Sequence, residues 1–349
     1  MALGFHVSAN MQYKGRVMKR IDCHGHIMFE NSMGKAKEFG PRIVKNNGTY
    51  IEVGPYRSVL PDNYADDMFG RNDPDSLVCE MDSLGIDMLN VMASPLFYLY
   101  WASLEIAVDF IKLHNDLLHE LASARPDRLF WSAILPLQDV NASIEEAKRV
   151  ASMGASCITI GTDNLGLGDL DDEVYFPLYE VISNLGLTIV LHPYPTPMKS
   201  GAKDRYNLSW ITGYPNQETM AFATLTLGGV LDEFPKLKFY LTHGGGAVPY
   251  LFGRIAAAHT TKLPGVKAKK PLEEYLDRFW FDTTVHDPRA LEFLLRFMGE
   301  DRIIVGSNYS GWNWSNEFDV VAQLGLDDDQ VSKIFHRNAE TLFGLTSNK

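Results

Sequence analysis

The sequence predicts a single (β/α)8 barrel, an α/β fold in which eight parallel strands alternate with helices. Two observations carry this prediction. Short apolar runs rich in Val, Ile, Leu and Phe, typical of parallel strands covered on both faces, alternate with longer segments whose apolar residues have helical spacing. The chain has 349 residues, a length at which α/β barrels form one domain. We therefore predict one domain over residues 1–349, with residues 29–72 inserted over the barrel mouth.

Eight runs are predicted as strands, and their number favours a closed barrel over an open sheet. They are Val17–Ile27, Met88–Ser94, Phe130–Pro136, Ser156–Thr162, Leu187–His192, Lys238–His243, Phe279–Thr284 and Ile303–Ser307. The alternative, an open doubly wound sheet, usually carries a glycine-rich phosphate loop after its first strand. Here His24-Gly25-His26 stands at that position, which favours the barrel.

Apolar residues at helical spacing fill the intervals between the strands. The clearest predicted helices are Leu104–Ala124, Ser143–Met153, Gln217–Phe234 and Pro288–Met298. We expect Asp139 or Asn141 to cap the second helix and Asp287 to cap the fourth, because Asp and Asn side chains accept hydrogen bonds from a first helical turn. Such strand–helix alternation indicates a parallel sheet.

The stretch from Phe29 to Asn72 interrupts this alternation and contains no clear helix. It carries three turn signals, Gly40-Pro41, Asn47-Gly48 and Gly54-Pro55. Loops of this length inside a compact domain are usually lids or flaps with a function. We interpret the stretch as an excursion over the barrel mouth and not as a second domain.

The composition argues against several classes of protein. The net charge of −12 provides no basic surface for a nucleic acid, and 46% of the residues are hydrophobic, enough for a large core. The sequence shows neither a signal-peptide pattern nor the apolar run of about 18 residues that a membrane helix needs, so we expect a cytoplasmic protein. The three cysteines form no CxxC pair and are predicted to be buried free thiols. They are Cys23, Cys79 and Cys157.

Reactive side chains gather where the predicted strands end, which in a barrel is the face that carries the active site. His24 and His26 end the first strand, His192 ends the fifth and His243 ends the sixth. Because His24 and His26 are two residues apart on an extended chain, both face the same side and can bind one divalent ion. Each histidine alone is weak evidence for a metal site, since a histidine at a strand end is equally well explained by packing. Four histidines at three strand ends together predict a metal site.

The histidine of the sixth strand is followed by three glycines, which let backbone or ligand approach closely. We predict that His243 is a general acid or base beside the metal, because imidazole titrates near neutral pH; a fourth metal ligand or a packing histidine stays open. Asp282, late in the seventh strand, is expected to orient His243 or another ligand, or to bond backbone alone. Four histidines on predicted helices are interpreted as structural. They are His114, His119, His259 and His336.

Several motifs stand in order along the chain from Met18 to Leu345, and only their ordered set is specific. Those at strand ends are Asp22-Cys23-His24-Gly25-His26, Leu191-His192-Pro193, Thr242-His243-Gly244-Gly245-Gly246 and Gly306-Ser307-Asn308-Tyr309. Others are Tyr100-Trp101-Ala102, Gln217-Glu218-Thr219, Gly253-Arg254 and Val285-His286-Asp287-Pro288. The set resembles the amidohydrolase superfamily, and most closely its branch typified by 2-amino-3-carboxymuconate-6-semialdehyde decarboxylase.

This resemblance implies a barrel enzyme with one divalent metal, for which zinc is the first choice and manganese the second. The implied metal ligands are His24, His26 and His192. His243 would be the catalytic acid or base, and Trp210 would lie close to the bound substrate. Arg254 would reach the neighbouring subunit's site and hold a substrate carboxylate, which makes the expected enzyme a homodimer. The implied reaction is non-oxidative decarboxylation of a small aromatic or unsaturated carboxylic acid, so the expected enzyme is a carbon–carbon lyase.

The sequence departs from this family at position 308, where the family has a metal-binding aspartate and this chain has Asn308. An amide has the shape of a carboxylate but no charge, and it cannot accept a proton near neutrality. Three explanations stay open. Asn308 is an engineered substitution that disables the enzyme, which we favour because the other motifs are intact; or it is natural in a member with altered chemistry; or the chain is a pseudoenzyme.

A second departure lies in the insertion. The family places a substrate-binding arginine shortly before its first catalytic helix, where this chain has Glu52, with Arg57 a few residues later. A glutamate would repel a carboxylate that an arginine would bind, so we expect a different substrate unless Arg57 takes over. Trp312 and Trp314, just past the eighth strand, suit an aromatic substrate, and packing is an equally good explanation.

Two functions of other kinds remain as alternatives. The first is a metal-dependent hydrolase or hydratase that acts on a lactone, a cyclic amide or an unsaturated diacid. The second is a catalytically silent homologue that binds a small carboxylate. Release of carbon dioxide separates the decarboxylase from the hydrolase, and metal analysis separates either enzyme from the silent binder.

Overall fold

Eleven strands are present in the computed structural model, which describes residues 18–60, 69–164, 167–195, 206, 208–311 and 314–345. They are β1 (Ile21–Ile27), β2 (Arg42–Lys45), β3 (Thr49–Val53), β4 (Tyr56–Leu60), β5 (Met88–Ala93), β6 (Leu129–Ile134), β7 (Cys157–Gly161), β8 (Thr188–His192), β9 (Lys238–Leu241), β10 (Phe279–Asp282) and β11 (Ile303–Ile304). Eight of them form one parallel sheet in the order β1-β5-β6-β7-β8-β9-β10-β11, and β2, β3 and β4 form a separate antiparallel sheet.

The first and last strands of the parallel sheet meet and close the barrel. The amide of Cys23 donates to the carbonyl of Val305 over 2.8 Å, and the amide of Tyr309 donates to the carbonyl of His24 over the same distance. A parallel bridge between Gly25 and Tyr309 lies beside these bonds. The predicted (β/α)8 barrel is therefore confirmed, and its closure places the residues around position 308 directly beside the His24-Gly25-His26 segment.

Eleven α-helices lie in the described part of the chain, most of them between consecutive barrel strands. They are α1 (Pro74–Leu84), α2 (Leu104–Ala124), α3 (Val140–Ser152), α4 (Phe176–Leu185), α5 (Tyr214–Leu227), α6 (Val230–Glu233), α7 (Val248–Thr260), α8 (Pro288–Met298), α9 (Glu317–Ala322), α10 (Asp328–Ser332) and α11 (Asn338–Phe343). Asp139 and Asp287 accept backbone hydrogen bonds at the starts of α3 and α8, so both predicted caps are present, with Asp139 and not Asn141 in that role.

Several predicted boundaries were wrong by a few residues. The predicted strand Lys238–His243 ends at Leu241, because His243 has φ of 48° and begins a glycine-rich turn that cannot continue a strand. The predicted helix Gln217–Phe234 is two helices, α5 and α6, because Gly229 between them has φ of 77°.

The core has two layers. Side chains that point into the barrel pack with the C-terminal helix, which places Phe343 of α11 against Phe130 and Tyr240 of the barrel interior. Side chains on the outer face of the barrel pack against the surrounding helices. The prediction of buried thiols holds for Cys23 and Cys157, but Cys79 is exposed on α1. Within the described residues, no helix combines the length and apolar character needed to cross a bilayer.

The insertion after β1 contains secondary structure that the sequence pattern did not reveal. Its antiparallel sheet pairs Arg42 with Glu52 and Glu52 with Arg57. Ile51 and Val53 on β3 belong to the same buried cluster as the outer face of the barrel, so one face of this small sheet packs on the barrel.

Candidate functional site

Three histidines meet at the carboxyl-terminal end of the barrel, as the strand ends predicted. His24 and His26 come from β1, and His192 is the last residue of β8. One ligand atom from each lies within 4.8 Å of the others, and all three side chains are buried. The Nε2 atoms of His24 and His26 are 3.2 Å apart. Two imidazole nitrogens bound to one tetrahedral zinc ion lie about 3.3 Å apart, so this spacing suits a shared ion.

Each of these rings uses Nδ1 for a hydrogen bond to an oxygen. His24 Nδ1 lies 3.0 Å from the Asp282 carboxylate, His26 Nδ1 lies 3.2 Å from the carbonyl of Ala93, and His192 Nδ1 lies 2.8 Å from the carbonyl of Pro193. Because a carbonyl or an ionised carboxylate only accepts, each Nδ1 carries the hydrogen and each Nε2 keeps a lone pair.

These lone pairs face one another with no hydrogen between them. The Nε2 atom of His192 is buried and has no hydrogen-bond partner among the described residues. Burial lowers the pKa of His24, and it lowers those of His26 and His192 well below the usual value, with the neighbouring imidazoles adding to the effect. Neutral imidazoles with converging lone pairs are the donors that a divalent metal needs, so the residues present fit a metal ion.

Asp282 is the anchor of His24. Its Oδ2 accepts from His24 Nδ1 and, over 2.8 Å, from the hydroxyl of Tyr240, while its Oδ1 accepts from the amides of Gly244 and Thr284. Burial alone would raise the pKa of Asp282, but the hydrogen bond and charge of His24 outweigh it and the pKa is lowered. The sequence left open whether Asp282 orients His243, orients another ligand or bonds only backbone. In the structure it accepts hydrogen bonds from His24 and from two backbone amides. His243 affects Asp282 only through its charge, which lowers the pKa of Asp282.

Removal of the Tyr240 hydroxyl is expected to weaken metal binding. Tyr240→Phe would leave Asp282 less firmly held, and loss of such an outer partner typically costs about 10-fold to 100-fold in metal affinity. Competition with a fluorescent chelator measures the change. Tyr179→Phe is the matched control, because the Tyr179 hydroxyl is also buried and donates over 2.7 Å, but to the carbonyl of Leu170. Equal affinities of the two variants would contradict this role for Tyr240.

His243 lies close to the three histidines but has an anchor of its own. Its ring centroid is 5.1 Å from that of His24 and 5.4 Å from that of His192. Its Nδ1 lies 3.0 Å from Oε1 of Glu218, a fully buried side chain on α5 that also accepts from the hydroxyl of Thr242.

His243 and Glu218 each change the pKa of the other. Burial raises the pKa of Glu218 to about 7, while His243 and Thr242 act in the opposite direction. Burial would lower the pKa of His243, but the charge and hydrogen bond of Glu218 outweigh it, so the pKa is raised above its ordinary value. This imidazole therefore has a raised pKa and a buried carboxylate that orients its ring, as a general acid or base requires.

Asn308 lies where the prediction placed it, beside the histidines. It lies between Val305 and Tyr309, the residues that close the barrel, is buried, and adopts φ of 56°, a conformation that Asn and Asp tolerate better than other side chains. Its side chain hydrogen-bonds His26 and packs on Gly311, whose Cα leaves room for it. A carboxylate in the same place would face the converging lone pairs of the three histidines and could bind the same cation.

Aromatic side chains lead away from the histidines toward the mouth. Tyr214 has its ring centroid 6.3 Å from that of His192, and Trp210 stacks on Tyr214 at 5.9 Å. On the other side, Tyr194 contacts Tyr98 at 5.8 Å. Trp210 is thus joined to the site through Tyr214, and its contact with substrate stays a prediction. Trp314 is partly exposed, and Trp312 lies outside the described residues.

Glu52 and Arg57 pair with each other and not, among the described residues, with the histidine cluster. Oε1 of Glu52 is 3.6 Å from Nε of Arg57, its Oε2 accepts from Nε of Arg42 over 3.1 Å, and the Arg57 guanidinium lies over the ring of Tyr50 at 3.8 Å. Residues alternate between the faces of a strand, so Glu52 lies opposite the buried Ile51 and Val53. The structure supports a role for this pair in the small sheet, and their binding of substrate stays a prediction.

Tyr56, the neighbour of Arg57, lies near the segment that follows His192. Tyr56 has its ring centroid 6.0 Å from that of Tyr194, two residues past His192. Sequence reasoning missed Tyr56, because which of two adjacent strand residues faces inward depends on the register of β3 and β4. It also missed Glu218, although Gln217-Glu218-Thr219 was among the quoted motifs.

Arg254 lies on α7, away from the histidine cluster of its own chain, and its side chain is exposed. Tyr250, one turn earlier on the same helix, is 82% exposed, and Met220 on the adjacent helix α5 is 67% exposed. Large exposed apolar side chains beside an arginine are typical of a surface that binds another protein.

Comparison with known sequences supports the resemblance to the amidohydrolase superfamily. The chain matches the amidohydrolase family over residues 21–345. It is 30% identical to a 2-amino-3-carboxymuconate-6-semialdehyde decarboxylase from Dictyostelium discoideum over 83% of this chain and 81% of that protein. It is 28% identical to a gamma-resorcylate decarboxylase from a Polaromonas strain over 66% and 75% of the two chains. A 2-keto-4-carboxy-3-hexenedioate hydratase from a Sphingobium strain is 25% identical over 68% and 72%.

Comparison with solved structures supports the same fold. A 5-carboxyvanillate decarboxylase from Sphingomonas paucimobilis superposes with a TM-score of 0.80 at 22% identity and covers 95% of this chain and 100% of that one. A 5-carboxyvanillate decarboxylase from Novosphingobium aromaticivorans, solved as an aspartate-to-asparagine mutant with bound manganese and a nitrobenzoic acid, gives 0.79 at 22% identity, with 94% and 97% covered.

Proposed function

The chain belongs to the amidohydrolase family, in the branch of the 2-amino-3-carboxymuconate-6-semialdehyde decarboxylases, and we propose that it is a metal-dependent decarboxylase of an aromatic or unsaturated carboxylic acid. The observation that carries this proposal is the arrangement of three clustered histidines, which could hold a metal ion, beside a fourth, His243, that has its own buried carboxylate. A silent binding protein would have no need for a separate proton-handling pair next to a metal site. The proposal treats residues 1–349 as one domain whose inserted small sheet covers the barrel mouth.

The role of each histidine follows from which of its ring nitrogens carries the hydrogen. His24, His26 and His192 present lone pairs and would hold one divalent ion, zinc or manganese. When bound, that ion supplies a Lewis acid that stabilises negative charge on a substrate oxygen. His243, whose Nδ1 is fixed by Glu218, presents its other nitrogen toward the histidine cluster and would donate a proton to the carbon that loses carbon dioxide. Tyr214 and Trp210 form an aromatic wall against which a flat substrate would stack.

Release of carbon dioxide tests this function directly. Candidate acids follow from the names of the relatives: 2-amino-3-carboxymuconate-6-semialdehyde, gamma-resorcylate and 5-carboxyvanillate. We expect carbon dioxide from at least one of them, with the Asn308→Asp variant faster than the chain that carries Asn308. Hydration or hydrolysis of an unsaturated diacid or a lactone without carbon dioxide would support the hydratase alternative, which the similarity to a hydratase keeps in view.

We propose further that the enzyme works as a homodimer in which Arg254 completes the neighbouring site by binding a substrate carboxylate. Tyr250, one turn before Arg254 on α7, and Met220 on the neighbouring helix α5 are exposed and would be covered by the second subunit. In its own chain Arg254 forms no ion pair with a described residue, so a carboxylate supplied by substrate in the adjacent site is a suitable partner.

Mixing two inactive variants tests the dimer. His243→Gln and Arg254→Ala subunits, each inactive alone, are expected to give about a quarter of the wild-type rate when mixed in equal amounts, since half of the dimers are mixed and each has one intact site. The measurement needs subunit exchange, which a tagged subunit reports. No recovery after proven exchange would contradict the role of Arg254 across the interface.

A further inference from the structure

A second histidine follows the next barrel strand and has the same surroundings as His243. His286 lies four residues past β10, with φ of 58°. Its Nδ1 lies 2.8 Å from Oε1 of Glu317, the first residue of α9, and 2.9 Å from the hydroxyl of Ser315, which also donates to Glu317. The Glu317 side chain is fully buried, and its Oε2 has no hydrogen-bond partner among the described residues.

The two arrangements agree group by group. In each, a histidine with positive φ directs Nδ1 at a completely buried glutamate, a hydroxyl donates to the same carboxylate oxygen, and the other carboxylate oxygen is unpartnered among the described residues. Non-glycine residues rarely adopt positive φ, and such strain persists where the surroundings hold it in place. A buried carboxylate is costly unless it has a charge or proton partner, which each histidine supplies.

The two pairs are in contact through their loops. A Cβ atom on Gly244, next to His243, would lie 2.3 Å from the side chain of Val285, next to His286. Asp282 joins the same loops, because its Oδ1 accepts from the amides of Gly244 and Thr284. The charge of His286 acts on the pKa of His24, and that of Asp282 on the pKa of Glu317.

The pairs differ in their access to solvent. The side chain of His286 is 36% exposed, against 12% for His243. The His243–Glu218 pair therefore lies beside the three clustered histidines, and the His286 ring is the more accessible of the two to water.

Decarboxylation creates a demand for protons that the His286–Glu317 pair would meet. When the bond from carbon to the carboxylate breaks, carbon dioxide leaves and the electron pair stays on the carbon. A proton from His243 forms the new C–H bond, so His243 loses one proton in every turnover and solvent has to replace it. Only 12% of the His243 side chain is exposed, so it has less contact with solvent than His286 for collecting that proton.

We propose that His286 and Glu317 form a proton relay that returns a proton from solvent to the His243–Glu218 pair after each turnover. This inference rests on the proposed decarboxylation, because only that reaction consumes one proton per carbon dioxide released. Glu317 positions the His286 ring, and the ring exchanges its proton with water at one side and with the His243–Glu218 pair, directly or through water, at the other.

The relay predicts a defect that small buffers repair. His286→Gln is expected to lower kcat for carbon dioxide release at least about 10-fold at low buffer concentration, with kcat/KM and metal content unchanged, since the step affected follows product formation. Imidazole at high concentration is expected to restore kcat to within about 3-fold of the parent, because it delivers protons in place of the missing ring. A merely structural histidine would give a loss that imidazole does not repair, and that result, or no loss at all, would overturn the relay.

A control variant and a second reaction allow the relay to be tested independently of the proposed decarboxylase activity. His336→Gln removes a histidine that also pairs with a glutamate, Glu340 at 3.1 Å, but on a helical segment outside the site, and it is expected to leave kcat unchanged at every buffer concentration. If no form releases carbon dioxide, exchange of a ring hydrogen of resorcinol in D2O reports proton transfer alone. Slower exchange in His286→Gln, repaired by imidazole, would sustain the relay without the decarboxylase; no exchange in any form would overturn both.

Discussion

Replacing Asn308 with aspartate is expected to raise the rate of carbon dioxide release at least about 100-fold, since even changes outside the ligand shell alter metal affinity or activity by about 10-fold to 100-fold. Asn308 hydrogen-bonds His26 and lies beside the converging lone pairs of the histidines. Aspartate has the same shape, so the fold is expected to be unchanged. It adds a negative charge that binds the metal and balances its positive charge, which the amide cannot do.

Two measurements separate the explanations for Asn308. A steady-state assay of the Asn308 chain and of Asn308→Asp gives the gain in turnover, and a metal-binding titration gives the gain in affinity. Asn308→Ala is the control, because it removes the amide without adding charge and is expected to be no faster than the Asn308 chain. A large gain would show that Asn308 disables a competent decarboxylase. Equal rates of the Asn308 chain and Asn308→Asp would contradict this and favour altered chemistry or a silent homologue.

Replacing His243 with glutamine is expected to lower kcat by about 100-fold to 10,000-fold, the range usual for loss of a general acid or base. The metal site is expected to survive, because the hydrogen bonds at Nδ1 that orient His24, His26 and His192 do not involve His243. Their Nε2 atoms therefore stay available to a metal ion. The experiment is best done in the Asn308→Asp background, where a loss of this size stays measurable. Metal content is measured on the same samples.

Glu218→Gln is the companion variant. It keeps the shape of the side chain and removes the charge that raises the pKa of His243. We expect a smaller loss of kcat than for His243→Gln and a lower pKa for the group that has to be protonated, visible as a shift of the pH profile of kcat toward lower pH.

For the His243→Gln variant, loss of bound metal would contradict the role of His243 as a general acid or base and would make it a metal ligand.

The barrel and its histidines were predictable because both follow from simple periodicities. Alternation along a strand puts His24 and His26 on one side, and the geometry of a barrel brings strand ends together, so His192 could be added to them without knowledge of any contact. The structure brings these three side chains together as expected.

The partners of those histidines were not predictable in the same way. Glu218 and Glu317 lie at or near the start of helices, and the sequence does not contain the angle at which a helix packs on its barrel strand. Asp282 on β10 anchors His24 because barrel closure brings β1 close to the last two strands, β10 and β11, a contact between residues more than 250 positions apart. The faces of Tyr56 and Arg57 depend on the register of a small sheet whose strands the sequence pattern did not reveal.

The central claim is that His24, His26 and His192 together hold one divalent metal ion. Elemental analysis of the purified chain after exhaustive dialysis tests it most directly, with His192→Ala compared against His119→Ala, a change on the surface of α2 far from the cluster in sequence and contacts. We expect one zinc or manganese ion per chain in the unsubstituted protein and in His119→Ala, and almost none in His192→Ala with the same circular-dichroism spectrum. An unsubstituted chain that binds no divalent metal, or a His192→Ala variant that keeps a full equivalent, would contradict a site formed by these three histidines.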